Sequence, residues 1–507
     1  MEDFSKSNWS KKPTKGQILK EMYGHKDNAD LLGASVVQIK KHDPDHLYGG
    51  LNDQQSEMVK GIRDYLKGRT QANFFLVQGG GGTGKSFSIN RALKGINPKQ
   101  IIAAAPSHFA KNVLKDFLGE GYKVITIAAL LGKRVTFNDE GDQILVRINT
   151  KLAPPIEHYP IVLIDEGSMV NDDTAHEILD YVRRGDKALI ILGDYCQLPP
   201  VNQPHDAVFF SNVSAELTIP MRFTGPIYEL TELVRNEIIK IRKGLVPDVN
   251  ILNIATDRIS KIDDKGSGYI FLKGLNTVIK ASIKRFKMRK GTNYVRVLAY
   301  RNKTIEKLNR RIRLGLYGEN PEQFENGELI INNGGYNYRA PGAKREKQII
   351  ANGSLYKVHK ATPVMGPFEI PCMSLEFEDV EFNAPIITVA EEGKELYVNK
   401  LKELTKKARS ESKYWRNVFA FKESFAHFNY SYAASIHKAQ GSSIKHVFIL
   451  EDDVLSVTLT TAKEKLQSMY VAISRASFRA YIYNKNFEVN NSQLKRENLL
   501  KDFDEGG

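Results

Sequence analysis

The chain has 507 residues, room for roughly two to four domains, and its 41% hydrophobic and 26% charged content is that of a soluble globular protein. No apolar run reaches membrane-spanning length, no apolar signal-peptide core opens the chain, and two cysteines, Cys196 and Cys372, exclude a disulfide framework or a cysteine-built zinc site, so a cytoplasmic protein is expected. Lysine and arginine number 73 against 59 acidic residues, a net charge of +14 that favours polyanionic partners such as nucleic acid, although a merely solvated basic surface has the same composition.

Residues 1–48 are polar and aperiodic and read as an N-terminal extension without an assignable role. From "LNDQQSEMVKGIRDYL" onward, short β-rich runs alternate with amphipathic helical patterns: "NFFLVQ" (73–78), "QIIAAAP" (100–106), "YPIVLIDE" (159–166) and "ALIILGD" (188–194). This alternation predicts a parallel sheet wrapped by helices. Residues 132–151 form two alternating runs about "NDEG" and predict an inserted β-hairpin. A second α/β region begins near 216, with strands at 294–302, 443–450 and 478–484 and a helix at 303–318. Between them, 331–427 is richer in Gly, Pro and short alternating strands and predicts a small β-rich insertion. "IKASIKRFKMRKG" (279–291) and "KLKELTKKARSESKYWR" (400–416) are basic stretches with aromatics, suited to backbone contacts with a nucleic acid or to solvated helix faces.

Gly79-Gly80-Gly81-Gly82-Thr83-Gly84-Lys85-Ser86 fits G-x-x-x-x-G-K-[ST] in full, after an apolar strand and before a helix. Backbone N–H groups must curl around a triphosphate there, and Cβ atoms would obstruct the curve, so the glycines and Thr83 cradle the nucleotide. Lys85 is expected on the β- and γ-phosphates and the Ser86 hydroxyl on Mg²⁺. Asp165 ends a buried strand, where it can hold Mg²⁺ through water, and Glu166 beside it is placed to polarise the attacking water. Gln197, in "ILGDYCQLPPV", can reach the γ-phosphate, and the rigid "LPPV" can relay its state to a neighbouring surface.

With these motifs in this order, the sequence resembles superfamily 1 helicases of the 1B branch, the RecD/Dda type, from about residue 51 to 485. The resemblance implies two RecA-like parallel-sheet lobes: 49–131 with 152–215 as the first (1A), 216–330 with 428–490 as the second (2A). It makes 132–151 a strand-splitting pin (1B) and 331–427 an SH3-like insertion (2B), leaving 491–507 as a tail. "LNDQQ" is similar to the adenine-reading motif, with Gln55 as the base-specific residue. "AAAPSHFAKNVL" is similar to a motif whose counterparts of Pro106, Ser107 and His108 lie near single-stranded DNA. Thr126-Ile127-Ala128 stands where the family has Thr-Ile-His, so Thr126 alone is carried over. "LTIPMRFTGPI" matches the arginine motif with Arg222 facing the γ-phosphate, and "MYVAISRAS" supplies Arg475 as a second arginine finger. "SIHKAQGSS" brings His437, Lys438 and Ser442 to the DNA, and its Gly441 turn lets the backbone approach the nucleotide cleft. Phe137 is the candidate aromatic near the pin's tip.

The resemblance further implies ATP and Mg²⁺, single-stranded and forked duplex DNA, replication or recombination proteins as partners, no membrane, a monomer, and 5′ to 3′ movement in the cytoplasm, the host's if phage-encoded. A translocase that clears proteins from DNA and an ATP-regulated DNA-binding scaffold or loader share these motifs. Strand-displacement assays and DNA-stimulated hydrolysis separate the three.

Overall fold

The computed structural model describes residues 49–488, apart from 69–72, 138–142, 148–151, 200–208, 210–213, 220, 222–224, 256–258, 289–292, 333–335, 339–346, 351–353, 379, 383 and 412–413. The first half opens with α1 (Asp53–Leu66), β1 (Phe75–Gly79), α2 (Lys85–Leu93), β2 (Ile101–Ala105), α3 (His108–Leu118), β3 (Lys123–Thr126) and α4 (Ile127–Leu130). The hairpin β4 (Lys133–Phe137) and β5 (Gln143–Arg147) follows, then β6 (Ile161–Ile164), α5 (Asp172–Arg184), β7 (Ala188–Gly193) and β8 (Ala215–Leu217). Six strands join in the order β3-β2-β6-β7-β1-β8, all parallel. β1, β2 and β6 are buried along their whole length, which is why they read as unbroken apolar runs. The sequence boundary after residue 215 falls inside β8; Val77↔Ala215 and Gly79↔Leu217 pairing keeps all three residues of that strand in the first sheet.

The second half contains α6 (Pro226–Arg242), α7 (Ile251–Ile254), β9 (Lys261–Ile262), β10 (Gly268–Leu272), α8 (Leu275–Lys287), β11 (Val295–Ala299) and α9 (Asn302–Tyr317). An insertion then runs through β12 (Leu329–Asn332), β13 (Tyr336–Tyr338), β14 (Lys347–Ile350), β15 (Leu355–Met365), β16 (Pro371–Phe377), β17 (Ile386–Val389), α10 (Lys394–Ser410), α11 (Trp415–Glu423) and β18 (Phe428–Tyr430). The chain returns through β19 (Ala433–Ser435), α12 (Ile436–Ala439), β20 (Ile444–Leu450), α13 (Glu451–Leu455), α14 (Ala462–Ser474) and β21 (Ala476–Tyr483). The second six-stranded sheet runs β19-β11-β20-β21-β10-β9, parallel except for β9.

The insertion is a five-stranded antiparallel sheet, β17-β16-β15-β12-β18, with α10 and α11 packed against each other. It exceeds the 331–427 of the sequence reading at both ends, because Ile330 pairs with Tyr430 and closes the sheet. A buried polar knot ties it to the second lobe. Arg313 of α9 donates through Nε to Glu328 Oε1 at 2.7 Å, Tyr432 donates to the same oxygen at 2.9 Å, and the Arg313 guanidinium lies 4.3 Å from the Tyr430 ring centroid. Glu328 has no exposed surface, so removing either charge would leave the other buried and unpaired.

Each sheet is covered on both faces. On the first, α1, α2 and α3 close one face around Met58, Ile89 and Leu114; on the second, α8 and α9 do so through Val278, Ile279, Leu308 and Ile312. The remaining faces belong to one continuous apolar cluster that also takes in Leu230 and Val234 of α6 and Leu466, Met469 and Ile473 of α14. α6 and α14 therefore form the seam between the lobes.

Candidate functional site

The phosphate loop leaves β1 at Gly79 and ends where α2 begins. Gly82 (φ 81°) and Gly84 (φ 83°) are left-handed, a region that disfavours side chains. A Cβ on Gly79 would stand 2.8 Å from both Leu217 O and Thr83 Oγ1, and one on Gly80 3.0 Å from the Tyr470 hydroxyl. The helix starts at Gly84 with no side-chain cap, so its first N–H groups are left for a ligand. Lys85 folds back and donates to Gly79 O at 2.5 Å and Gly80 O at 3.1 Å. Its ammonium thus sits inside the loop, where phosphate oxygens can replace the two carbonyls. Thr83 is buried and donates to Gly80 O at 2.9 Å. Met221 N donates to Gly82 O at 2.8 Å, while the next residue, Arg222, lies outside the described residues.

Asp165 and Glu166 follow β6, and the Asp165 N–H joins the sheet edge through Ala104 O at 2.9 Å. Glu166 is held at φ 54°, an unusual backbone for a non-glycine residue, with its N–H on Asp165 Oδ1 at 2.9 Å. Burial raises the Asp165 carboxyl above its ordinary value, with Lys85 pulling it back. Burial and then the Asp165 charge push Glu166 up to about 7, against the pull of Lys85 and Arg475. A desolvated carboxylate and the Ser86 hydroxyl at the mouth of an anion-binding loop form a hard oxygen set, the kind Mg²⁺ takes with phosphate.

The second lobe brings two guanidinium groups to this loop. Arg475, the buried C-cap of α14, donates to Val471 O, Ser442 O and Ser474 Oγ at 3.2, 3.3 and 3.0 Å. Its Nη2 lies 3.8 Å from where a Cβ on Gly81 would stand. Arg235 of α6 was not visible as a site residue in the sequence. It is 2% exposed, pairs with Glu216 of β8 at 3.1 Å, and its Nη1 has no hydrogen-bond partner. That nitrogen is 3.1 Å from the position of a Cβ on Gly80, and its nearest carboxylate, Glu232, is 3.9 Å away. A buried N–H without a hydrogen-bond acceptor, facing an anion-binding loop, fits a phosphate oxygen.

Gln197 accepts from Gln440 Nε2 at 2.9 Å across the seam, joining the loop after β7 to the turn after α12. Tyr470 donates to Asp194 Oδ2 at 2.8 Å and Gln467 to Tyr195 O at 3.0 Å beside it. Asp194, Gln440 and Tyr470 lie inside the motifs named above, but their pairing was not legible, since their partners are hundreds of residues away.

Gln55 is fully buried. Its Oε1 accepts from Asn52 N at 3.1 Å in a capping box, and its Nε2 donates to Thr83 O at 3.0 Å. The amide therefore braces the phosphate loop against α1.

The remaining candidates, apart from Phe137 on the hairpin, lie at the C-terminal edges of both sheets. Pro106 and Ser107 follow β2, with Ser107 capping α3 through the Ala110 N–H at 3.1 Å, and His108 opens that helix. Thr126 ends β3 and caps α4 through Ala129 N at 3.3 Å. In the second lobe His437 and Lys438 occupy α12, Gly441 turns with φ 82°, and Ser442 donates to Ala439 O at 2.5 Å. The His437 ring stands edge-on to Tyr300, 5.7 Å between centroids, and burial holds its imidazole below the usual histidine range, opposed by Glu464. Phe137 ends β4, far along the hairpin. The Ser442 carbonyl on Arg475 and the Gln440 amide on Gln197 connect this edge to the phosphate loop.

Residues 50–245 match the family model described as an AAA domain, and residues 430–483 that of the UvrD-like helicase C-terminal domain. Over 439 residues the chain is 25% identical to the ATP-dependent DNA helicase dda of Enterobacteria phage T4, covering 80% of this chain and 93% of the relative. It is 21% identical over 500 residues to an uncharacterized protein of Acanthamoeba polyphaga mimivirus, covering 84% and 98%. Among solved structures, a Pif1 helicase from Bacteroides with ADP-AlF3 and ssDNA matches with a TM-score of 0.44 at 16% identity, covering 89% of this chain and 97% of that one. Pif1 helicase from Candida albicans matches with 0.44 at 14%, covering 89% and 99%. Among the described residues, no helix is long and apolar enough to cross a membrane.

Proposed function

We infer that this chain, a superfamily 1B helicase of the RecD/Dda type, is an ATP-dependent DNA helicase that couples hydrolysis at the seam of its two lobes to movement along single-stranded DNA, 5′ to 3′. The observation that carries the reading is Arg235, buried at the seam with one N–H unpaired and directed at the phosphate loop. A cation delivered to the γ-phosphate by the opposite lobe makes hydrolysis conditional on lobe closure.

In this reading the first lobe holds the nucleotide. The N–H groups of Gly79–Ser86 and the Lys85 ammonium neutralise the phosphates, and Gln55 exchanges its bond to Thr83 for the adenine edge. Ser86 and Asp165 would hold Mg²⁺, which supplies charge neutralisation between the phosphates. Glu166 accepts the proton of the attacking water, Gln197 orients the γ-phosphate, and Arg235, Arg475 and Arg222 stabilise the charge that spreads over the transferring phosphoryl group.

The strand lies along the sheet edges, on Pro106, Ser107, His108 and Thr126 in one lobe and His437, Lys438 and Ser442 in the other. Because Gln440 and Ser442 sit between strand and nucleotide, closing the seam shifts one grip relative to the other. Phosphate release reverses that shift, since the arginines lose the oxyanion that held them; this differential contact is what lets the ligand move the equilibrium. The hairpin, with Phe137, parts the duplex ahead, and the 331–427 region acts as the 2B insertion. Strand displacement on forks carrying either a 5′ or a 3′ tail tests the proposal. Unwinding from the 5′ tail alone is expected, and absence of strand-stimulated hydrolysis on both forks would refute it.

A further inference from the structure

The basic stretch at 279–291 has no part in the motor as described, yet the fold gives it a partner. α8 and α9 lie side by side and run the same way over the outer face of the second sheet, with Arg311 donating to Asn276 at 2.7 Å near one end. One turn further along α9, a Cβ on Gly315 would overlap Ile283, so the helices approach closely there. Together they carry nine Lys and Arg against one acid, Glu306, and all of the nine but the buried Arg285 and Arg313 reach the surface. Lys280, Lys287, Lys303, Lys307 and Arg310 are exposed, and none is paired with a described carboxylate. Lys303, Lys307 and Arg311 recur at i, i+4, a like-charge spacing that destabilises an isolated helix. By contrast α1, on the outer face of the first lobe, mixes three acids with three bases if Lys67 at its C-cap is counted.

This face is continuous with the candidate strand site. β11 and β19 are paired with Ala299 opposite Ser435, so α9 and α12 both begin at that edge, and Tyr300 touches His437 there. From the edge α9 descends 16 residues, about 24 Å at 1.5 Å per residue. We propose that the outward face of α8 and α9 is a second binding track for the phosphate backbone of single-stranded DNA, taking up the strand where it leaves the sheet edge beside His437.

The occupant follows from shape and chemistry. The helices run roughly along the strands of the sheet, so a polymer passing along the edge must turn to follow them. A duplex, with a persistence length of about 150 bp, does not bend within that span, whereas a single strand does. No large aromatic residue is exposed on either helix, so the track contacts phosphates without reading or stacking bases. It lengthens the grip on the trailing or leading strand and adds to affinity only for strands longer than the channel.

The proposal rests on the helicase reading above, and its test separates the two. The full chain carrying Lys280→Glu, Lys287→Glu, Lys307→Glu and Arg310→Glu, and a second variant with glutamine at the same four positions, are titrated with an oligothymidine length series and with a blunt duplex. Circular dichroism first establishes that each is folded. The wild type is expected to gain affinity with length past the channel, and the glutamate variant to lose at least about tenfold on long strands while short ones bind as before. Its log–log salt slope on long strands should fall by about 3, at about 0.7 per phosphate contact. The glutamine variant should lie between, and hydrolysis stimulated by short strands should stay at the wild-type rate in both. Equal affinity of wild type and variant for long strands would overturn the track, as would a loss confined to the blunt duplex or one equally large on short strands. If the wild type itself shows no strand-stimulated hydrolysis at any length, it is the helicase reading that fails.

Discussion

The two lobes have similar six-stranded sheets, differing in the antiparallel edge strand β9, and different chemistry. In each, one strand lies second from an edge, β1 between β7 and β8 and β10 between β21 and β9, and passes directly to a helix. After β1 comes the glycine loop with Lys85 at its helix start; after β10 comes only Lys273-Gly274 before α8. The second sheet thus copies the architecture of a nucleotide-binding lobe without its anion cradle. It contributes instead from its seam side, where Arg475 caps α14 and Arg235 projects from α6. Apolar strand patterning sets the topology, while in the proposed function a few residues in one connecting loop make one copy the holder of the phosphate and leave the other to complete the site.

That division of labour can be broken at its holding side first. Lys85→Ala is expected to leave no measurable hydrolysis while strand binding persists, measured by phosphate release and by fluorescence anisotropy with a labelled oligonucleotide. Next comes the completing side: Arg475→Ala should lower kcat by about 10³-fold or more with little change in ATP affinity. Arg235→Ala should behave alike, at about 10²–10³. If either weakened ATP binding as much as turnover, the second lobe would be a holder too.

Glu166 sharpens the comparison through pH. Burial and Asp165 keep its proton on up to about 7, and a base must be ionised to act, so kcat/KM for ATP should fall about tenfold per pH unit below that point. Glu166→Gln should abolish this limb and trap a nucleotide-bound, strand-gripping state; a normal turnover number in that variant would rule the role out. The smallest effect belongs to the link between lobes. Gln440→Leu removes the bond to Gln197 and should lower the stimulation of hydrolysis by single strands about tenfold, while basal hydrolysis changes less.

Much of the candidate site was legible because its residues act through their local backbone. Gly79–Ser86 is a contiguous loop and Asp165 and Glu166 end one strand, so their spacing carried the chemistry, while the turn "HKAQGSS" was legible only through its resemblance to a family motif. Gln55 shows the limit of such reading. Its place in "LNDQQ" was plain and its bond to Asn52 N is a local cap, but its bond to Thr83 O depends on α1 packing across the phosphate loop. The insertion's boundaries were blurred for a similar reason: β18 is a strand by pairing with β12, which lies almost a hundred residues away.

The sequence by itself determined where buried strands fall, since burial on both faces demands unbroken apolar runs, and where a triphosphate would sit, since only glycine tolerates that curve. It could not determine which distant groups meet. Arg235 against Gly80, Tyr470 on Asp194, Gln440 on Gln197 and the paired basic helices α8 and α9 are products of the tertiary structure. Each depends on burial and proximity that no local periodicity encodes.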